Sequence, residues 1–131
     1  VLKVLGSERG ILLPSGLMLR YDDLSGEQGE RGVEYSYKTR RGRTRIYGGK
    51  VTENVCQAIA RCIIGEQMLQ ISKRCRIVLT VHDSIVVCVK DEDVIESRAF
   101  VEERMRWTPD WAAGLPINCE SGLGKSYGDC E

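Results

Sequence analysis

Arg76-Ile77-Val78-Leu79-Thr80-Val81-His82-Asp83-Ser84-Ile85-Val86-Val87-Cys88-Val89-Lys90 is the stretch on which the fold turns. Two runs rich in β-branched residues meet at His82-Asp83-Ser84. Such runs favour strands, and their near-continuous apolar character predicts two adjacent buried strands. The polar residues between them then form the turn of a hairpin. His82 and Asp83 are placed at the exposed end of a rigid pair of strands.

Downstream, Asp91-Glu92-Asp93 opens a second helix that runs to about Trp107. Acid in a first turn suits the helix dipole. Val94, Val101 and Met105 give that helix a narrow apolar stripe. Thr108 to Pro116 reads as a loop, and Ile117 to Glu120 as a short final strand.

Upstream, residues 51–70 form the best helix candidate. Val51, Val55, Ile59, Cys62 and Leu69 repeat with a period near 3.6, with Glu66 intruding on their face. Thr52 is placed to cap the start. Lys50, Asn54, Gln57 and Arg61 stand at i, i+4, i+7 and i+11, which puts them on one other face. Gly48-Gly49 reads as a chain break. Before it, residues 33–39 alternate as a strand, Arg40-Arg41-Gly42-Arg43 makes a turn, and residues 44–47 return as its partner. Asp22 to Gly32 is polar and glycine-bearing, and reads as a loop. Residues 11–21 form a hairpin about Pro14-Ser15-Gly16. The order of elements predicts an α+β domain whose antiparallel sheet carries packed helices.

The chain has 131 residues, which fits one ordinary domain. Hydrophobic residues make up 42% and charged residues 29%, a globular composition that argues against disorder. Lys+Arg and Asp+Glu balance at 19 each, which counts against a self-sufficient nucleic-acid-binding domain. The charge is uneven, however. Lys38, Arg40, Arg41, Arg43, Arg45 and Lys50 crowd together, whereas Asp91, Glu92, Asp93, Glu96, Glu102 and Glu103 form an acidic cluster. The basic run reads equally as a solvated hairpin turn or as a contact for template phosphates.

None of the six cysteines forms a C-x-x-C knuckle, and one histidine is present. They read as buried, reduced thiols, with a disulfide framework as the weaker alternative. No apolar run approaches the roughly 20 residues that span a bilayer, so no membrane partner is expected. The chain opens at Val1 and reads as a piece of something longer.

An aspartate held at a rigid hairpin end is a good ligand for a hard cation such as Mg²⁺. Phosphoryl transfer uses such ions to bridge attacking and leaving oxygens. Taken alone, the dipeptide fits better an Asp that caps its own turn. Three further stretches change that balance. Val81-His82-Asp83 resembles motif C of the family A, or DNA polymerase I-like, DNA polymerases. Leu13-Pro14-Ser15-Gly16 resembles a hairpin of their bacteriophage members. Tyr47-Gly48-Gly49-Lys50 through Arg61 resembles a helix entry of the same enzymes. Trp111-Ala112-Ala113-Gly114-Leu115-Pro116 and Gly124-Lys125-Ser126-Tyr127-Gly128 resemble their C-terminal tail. The order is right, and the resemblance spans nearly the whole chain.

The resemblance implies a single partial domain over residues 1–131, the C-terminal fingers and palm portion of a polymerase, with hairpins in 1–50 and palm in 51–131. It implies a nucleotidyltransferase that adds deoxynucleotides to a primer 3′ end by two-metal phosphoryl transfer. Asp83 would bind Mg²⁺, and His82 would sit beside the primer terminus. Gln57 would reach the minor groove of the primer-template, where shared acceptors let an amide check pair shape without reading sequence. Asn54, Lys50 and Arg61 share its face and would touch the DNA. The implied partners are primer-template DNA, deoxynucleoside triphosphates and the upstream polymerase chain, in the cytoplasm of a phage-infected or prophage-bearing host.

Two residues depart from the pattern. Ser84 stands where the family usually has Glu, and Leu17 where phage members tend to be basic. The family's second metal-binding aspartate lies upstream of every residue here. Tyr21-Asp22-Asp23 reads as a surface turn and not its substitute. The isolated chain is therefore expected to be inactive. The alternative, from another class, is a non-catalytic nucleic-acid-binding fragment of a split or decayed polymerase gene.

Overall fold

A computed structural model describes residues 5–7, 10–30 and 32–130. Over those residues it is α+β, with two α-helices and three small antiparallel sheets. The chain divides into two compact units, Val1–Ile59 and Ala60–Glu131.

In the first unit, β1 (Leu5–Ser7), β2 (Gly10–Leu12) and β3 (Met18–Arg20) form one meander. The expected hairpin about Pro14-Ser15-Gly16 is present. Leu13 N–H donates to Leu17 O at 2.7 Å, and Gly16 N–H donates to Leu13 O at 2.9 Å. Gly16 sits at φ +85°, a conformation open to glycine at little cost. At Gly10 the neighbouring strand comes so close that a Cβ would lie 1.9 Å from the Leu19 carbonyl oxygen.

The second sheet is β4 (Ser25–Gly29), β5 (Gly32–Thr39) and β6 (Gly42–Ile46). Strand β4 corrects the expected loop over 22–32. Its sequence, Ser-Gly-Glu-Gln-Gly, has no apolar alternation, so nothing local announces a strand. It exists because β5 offers a ladder from Ser25↔Ser36 to Gly29↔Gly32. Strand β6 begins at Gly42, two residues earlier than the sequence suggested, leaving Arg40-Arg41 as a two-residue turn. Tyr21 meets Tyr37 edge to face, with ring centroids 5.2 Å apart. Leu13 and Ile46 are the buried apolar residues described in this unit.

Helix α1 runs from Gly48 to Ile71. Gly48 and Gly49 therefore start the helix and do not break the chain. First-turn N–H groups lack intrahelical partners whatever the residue, so glycine is tolerated there. Thr52 is not the cap either. It lies a full turn inside, and its hydroxyl donates to Gly48 O at 3.1 Å.

The buried stripe in the C-terminal half of α1 is Ile63, Gln67 and Ile71, at i, i+4 and i+8. Leu69, assigned to the core face by spacing, points outward at 68% exposure. Glu66 does not disturb the packing, because its carboxylate accepts a hydrogen bond from Trp111 Nε1 at 2.7 Å. Gln67 is fully buried, and its amide donates to Met105 O (2.8 Å) and Trp107 O (2.9 Å). Those carbonyls end helix α2 (Val94–Arg106); the acidic run expected to open it, Asp91–Asp93, forms a 3-10 turn that leads into it.

The third sheet pairs β7 (Arg76–Val81) with β8 (Ser84–Cys88). The hairpin is where the sequence placed it, but its strands are not buried. Val78 and Leu79 are 51% and 45% exposed, and no residue of either strand is fully covered. A two-stranded sheet covers too little surface to bury apolar runs on both faces.

Ile117–Glu120 forms no strand. The Arg106 guanidinium takes up this segment, donating to Asn118 Oδ1 (3.0 Å) and Cys119 O (3.3 Å). No disulfide forms among the six cysteines. Cys75 is buried, but Cys56, Cys88 and Cys130 are exposed, against the expectation of buried thiols. No helix among the described residues is long and apolar enough to cross a membrane.

Candidate functional site

The ladder between β7 and β8 closes at Val81↔Ser84, so His82 and Asp83 are the whole turn. Two-residue hairpin turns need positive φ at the first or at both central positions, and glycine, Asn or Asp normally supply it. Here His82 takes φ +52°. The conformation is uncommon for a residue with a Cβ, though His tolerates it better than most. Residues held this way cluster at sites where geometry matters more than local comfort. Further down the hairpin, the register shifts between Ile77 and Leu79, leaving Val78 as the extra residue of a β-bulge. Bulges increase local twist and re-aim side chains beyond them. His82, Asp83 and Ser84 are all exposed.

No group of three or more His, Cys, Asp or Glu residues among those described comes together to hold a metal ion. Asp83 is the carboxylate of the turn, and Ser84 beside it adds none. The residues present therefore do not by themselves fit a pair of Mg²⁺ ions, which need several carboxylate oxygens.

The other candidate residues fall on α1. Lys50, Asn54 and Gln57 belong to the first unit, whereas Arg61, His82 and Asp83 belong to the second. Lys50 Nζ donates to both Glu53 carboxylate oxygens, at 2.8 and 2.9 Å. Glu53 holds the Lys50 ammonium above its ordinary pKa. Gln57 Nε2 donates to the same Glu53 Oε1 at 3.2 Å. Glu53 thus ties two of the candidate residues together, a role its spacing (i−4 from Gln57) could have revealed. Asn54 differs from its neighbours: it is half-buried, and its amide donates to Tyr21 OH at 3.1 Å. Gln57 and Arg61 are exposed.

Tyr21-Asp22-Asp23 forms a turn, as expected. Asp23 stands at φ +51°, and its carboxylate meets Arg43 at 2.6 Å. Leu17, where a basic residue was expected, is 63% exposed on its turn.

A DNA polymerase of Bacillus phage SP02 is 32% identical to the chain over 132 residues, covering 92% of it. The likeness supports a DNA polymerase relationship. The chain spans a fifth of that relative's length, 20%. No protein-family model matches the chain, and no solved structure matches it.

Proposed function

We propose that this chain is the C-terminal palm portion of a phage-type family A DNA polymerase, carrying motif C at His82-Asp83. The observation that carries the reading is the two-residue turn. An apolar hairpin closes on His82 at φ +52° and leaves Asp83 exposed at its tip. A two-residue turn with positive φ at its first position, chosen only for ease of folding, would carry Gly in place of His82. The similarity to a phage polymerase over 92% of the chain supports the same reading.

In this reading the whole enzyme extends a primer 3′ end with deoxynucleoside triphosphates. Asp83 is one Mg²⁺ ligand, and the other carboxylate comes from polypeptide outside these 131 residues. Mg²⁺, when bound, would supply charge stabilisation for phosphoryl transfer. Within this chain, His82 stands next to the primer terminus and Gln57 donates into the minor groove. Lys50 and Arg61 meet phosphates. Asn54 supports the helix face through Tyr21, its amide already being engaged there.

The test is primer extension by the polymerase that carries this segment. Asp83→Ala should abolish extension and leave primer-template affinity close to wild type. Wild-type extension by that variant would remove Asp83 from the metal site. Gln57→Ala should slow extension from a mismatched terminus less than from a matched one. Equal slowing would argue against a pair-checking contact.

A further inference from the structure

Lys38, Arg40, Arg41, Arg43 and Arg45 read as one basic run, but the structure separates them into two groups. Arg43 is fully engaged. It donates to Asp23 Oδ2 (2.6 Å), Asp23 O (2.8 Å), Ser36 Oγ (3.2 Å) and Ser36 O (3.1 Å), and also to Ser25 Oγ. Arg45 pairs with Glu34 at 3.1 Å. Lys38, Arg40 and Arg41 are exposed, and among the described residues none of them forms an ion pair.

The turn that presents them is fixed. Thr39 Oγ1 donates to Gly42 O at 2.7 Å and accepts from Arg41 N–H at 3.3 Å. Glu27 and Glu34 face each other across β4 and β5, and Glu30 follows at the end opposite the Arg40-Arg41 turn. Nearer the turn, Asp22 O accepts the Lys38 N–H at 2.7 Å and Arg43 holds the Asp23 carboxylate, which leaves Arg40 and Arg41 as the outermost charges.

We infer that Lys38, Arg40 and Arg41 form a tip that grips the phosphodiester backbone of duplex DNA. A phosphate backbone is recognised by cations and hydrogen-bond donors alone. Guanidinium forks suit phosphate oxygens. A protein partner would need an apolar, charge-depleted centre, and the residues about this tip are the polar Thr39, Gly42 and Thr44 with Arg43 and Asp22 beside Lys38. The inference rests on the polymerase reading for its choice of ligand.

The experiment is fluorescence anisotropy of the full chain with a labelled primer-template across a salt series, beside thermal unfolding. Each lost duplex phosphate contact should flatten the log–log salt slope by about 0.9, so Arg40→Ala/Arg41→Ala should shrink the affinity drop between about 50 mM and about 200 mM salt roughly tenfold. Its unfolding midpoint should match wild type. Arg43→Ala should lower the midpoint and keep the slope. An unchanged slope in the double variant, or an equal loss in Arg43→Ala, overturns the proposal. Tighter binding of an acidic peptide than of DNA through Arg40 and Arg41 overturns it in favour of a protein partner. Primer extension by Asp83→Ala in the polymerase that carries this segment reads the metal site separately, so an unchanged slope in the double variant beside lost extension in Asp83→Ala overturns the phosphate tip alone.

Discussion

His82 holds a left-handed backbone that most side chains resist. A β-branched residue there should be worse: His82→Val is expected to lose about 1–2 kcal/mol of stability, from the steric cost of the left-handed conformation. His82→Gly should fold at least as well as wild type while extending primers poorly. Denaturant melts beside extension assays separate these effects, and a gain of activity in His82→Gly would show that the ring has no part in the site. Glu102 offers a test of another kind. Hydrogen bonds from Ser121, Arg98 and Arg106 lower its carboxyl from 4.5 to about 2. A carboxylate depressed by folding stabilises the native state above its unfolded pKa, and the benefit fades as pH falls through the folded value. The stability difference between wild type and Glu102→Gln should therefore be full above pH 4.5 and shrink toward pH 2. A difference that grows on acidification would reverse the assignment. Arg98 and Arg106, at i−4 and i+4 from Glu102, are legible as partners in the sequence, whereas Ser121, distant along the chain, is not.

At the scale of elements, Gln67 is the joint between α1 and α2. Its amide completes two carbonyls at the end of α2 from within a fully covered site. Gln67→Ala would leave both unpaired and open a void, for an expected loss of about 2–4 kcal/mol. Urea unfolding would measure it, and a loss below about 1 kcal/mol, the worth of a single ordinary hydrogen bond, would show that the carbonyls find other donors. Sequence reading located both helices and the β7–β8 hairpin because their signals are local: period, acid at a start, two β-branched runs. It missed β4, whose pairing lies in β5, and gave Ile117–Glu120 a strand that side-chain donors from α2 replace. It grouped Lys50, Asn54, Gln57 and Arg61 on one face; three of them are exposed, but Asn54 is half-buried against Tyr21, and the Glu53 that links Lys50 to Gln57 was not singled out. The turn at His82-Asp83 was legible, whereas its φ was not, because no glycine marks it.

For the whole molecule, zero net charge and open apolar surface act together. Leu69, Val78, Leu79 and Ile95 are 68%, 51%, 45% and 78% exposed. Apolar strand surface on a chain without net repulsion favours self-association. The isolated chain should associate as its concentration rises, and Leu79→Lys should shift it toward monomer in sedimentation runs. Unchanged association would place the contact elsewhere. The isolated chain with Mg²⁺ should also fail to extend a primer. Robust synthesis would show that the carboxylates present suffice.

The exposed thiol of Cys56 immediately precedes Gln57. It is a native attachment point for an environment-sensitive dye one position from the residue assigned to the minor groove. With Cys88 and Cys130, the other exposed thiols, changed to serine, a single fluorophore would report in real time whether DNA arrives at this helix, before any chemistry is asked of it.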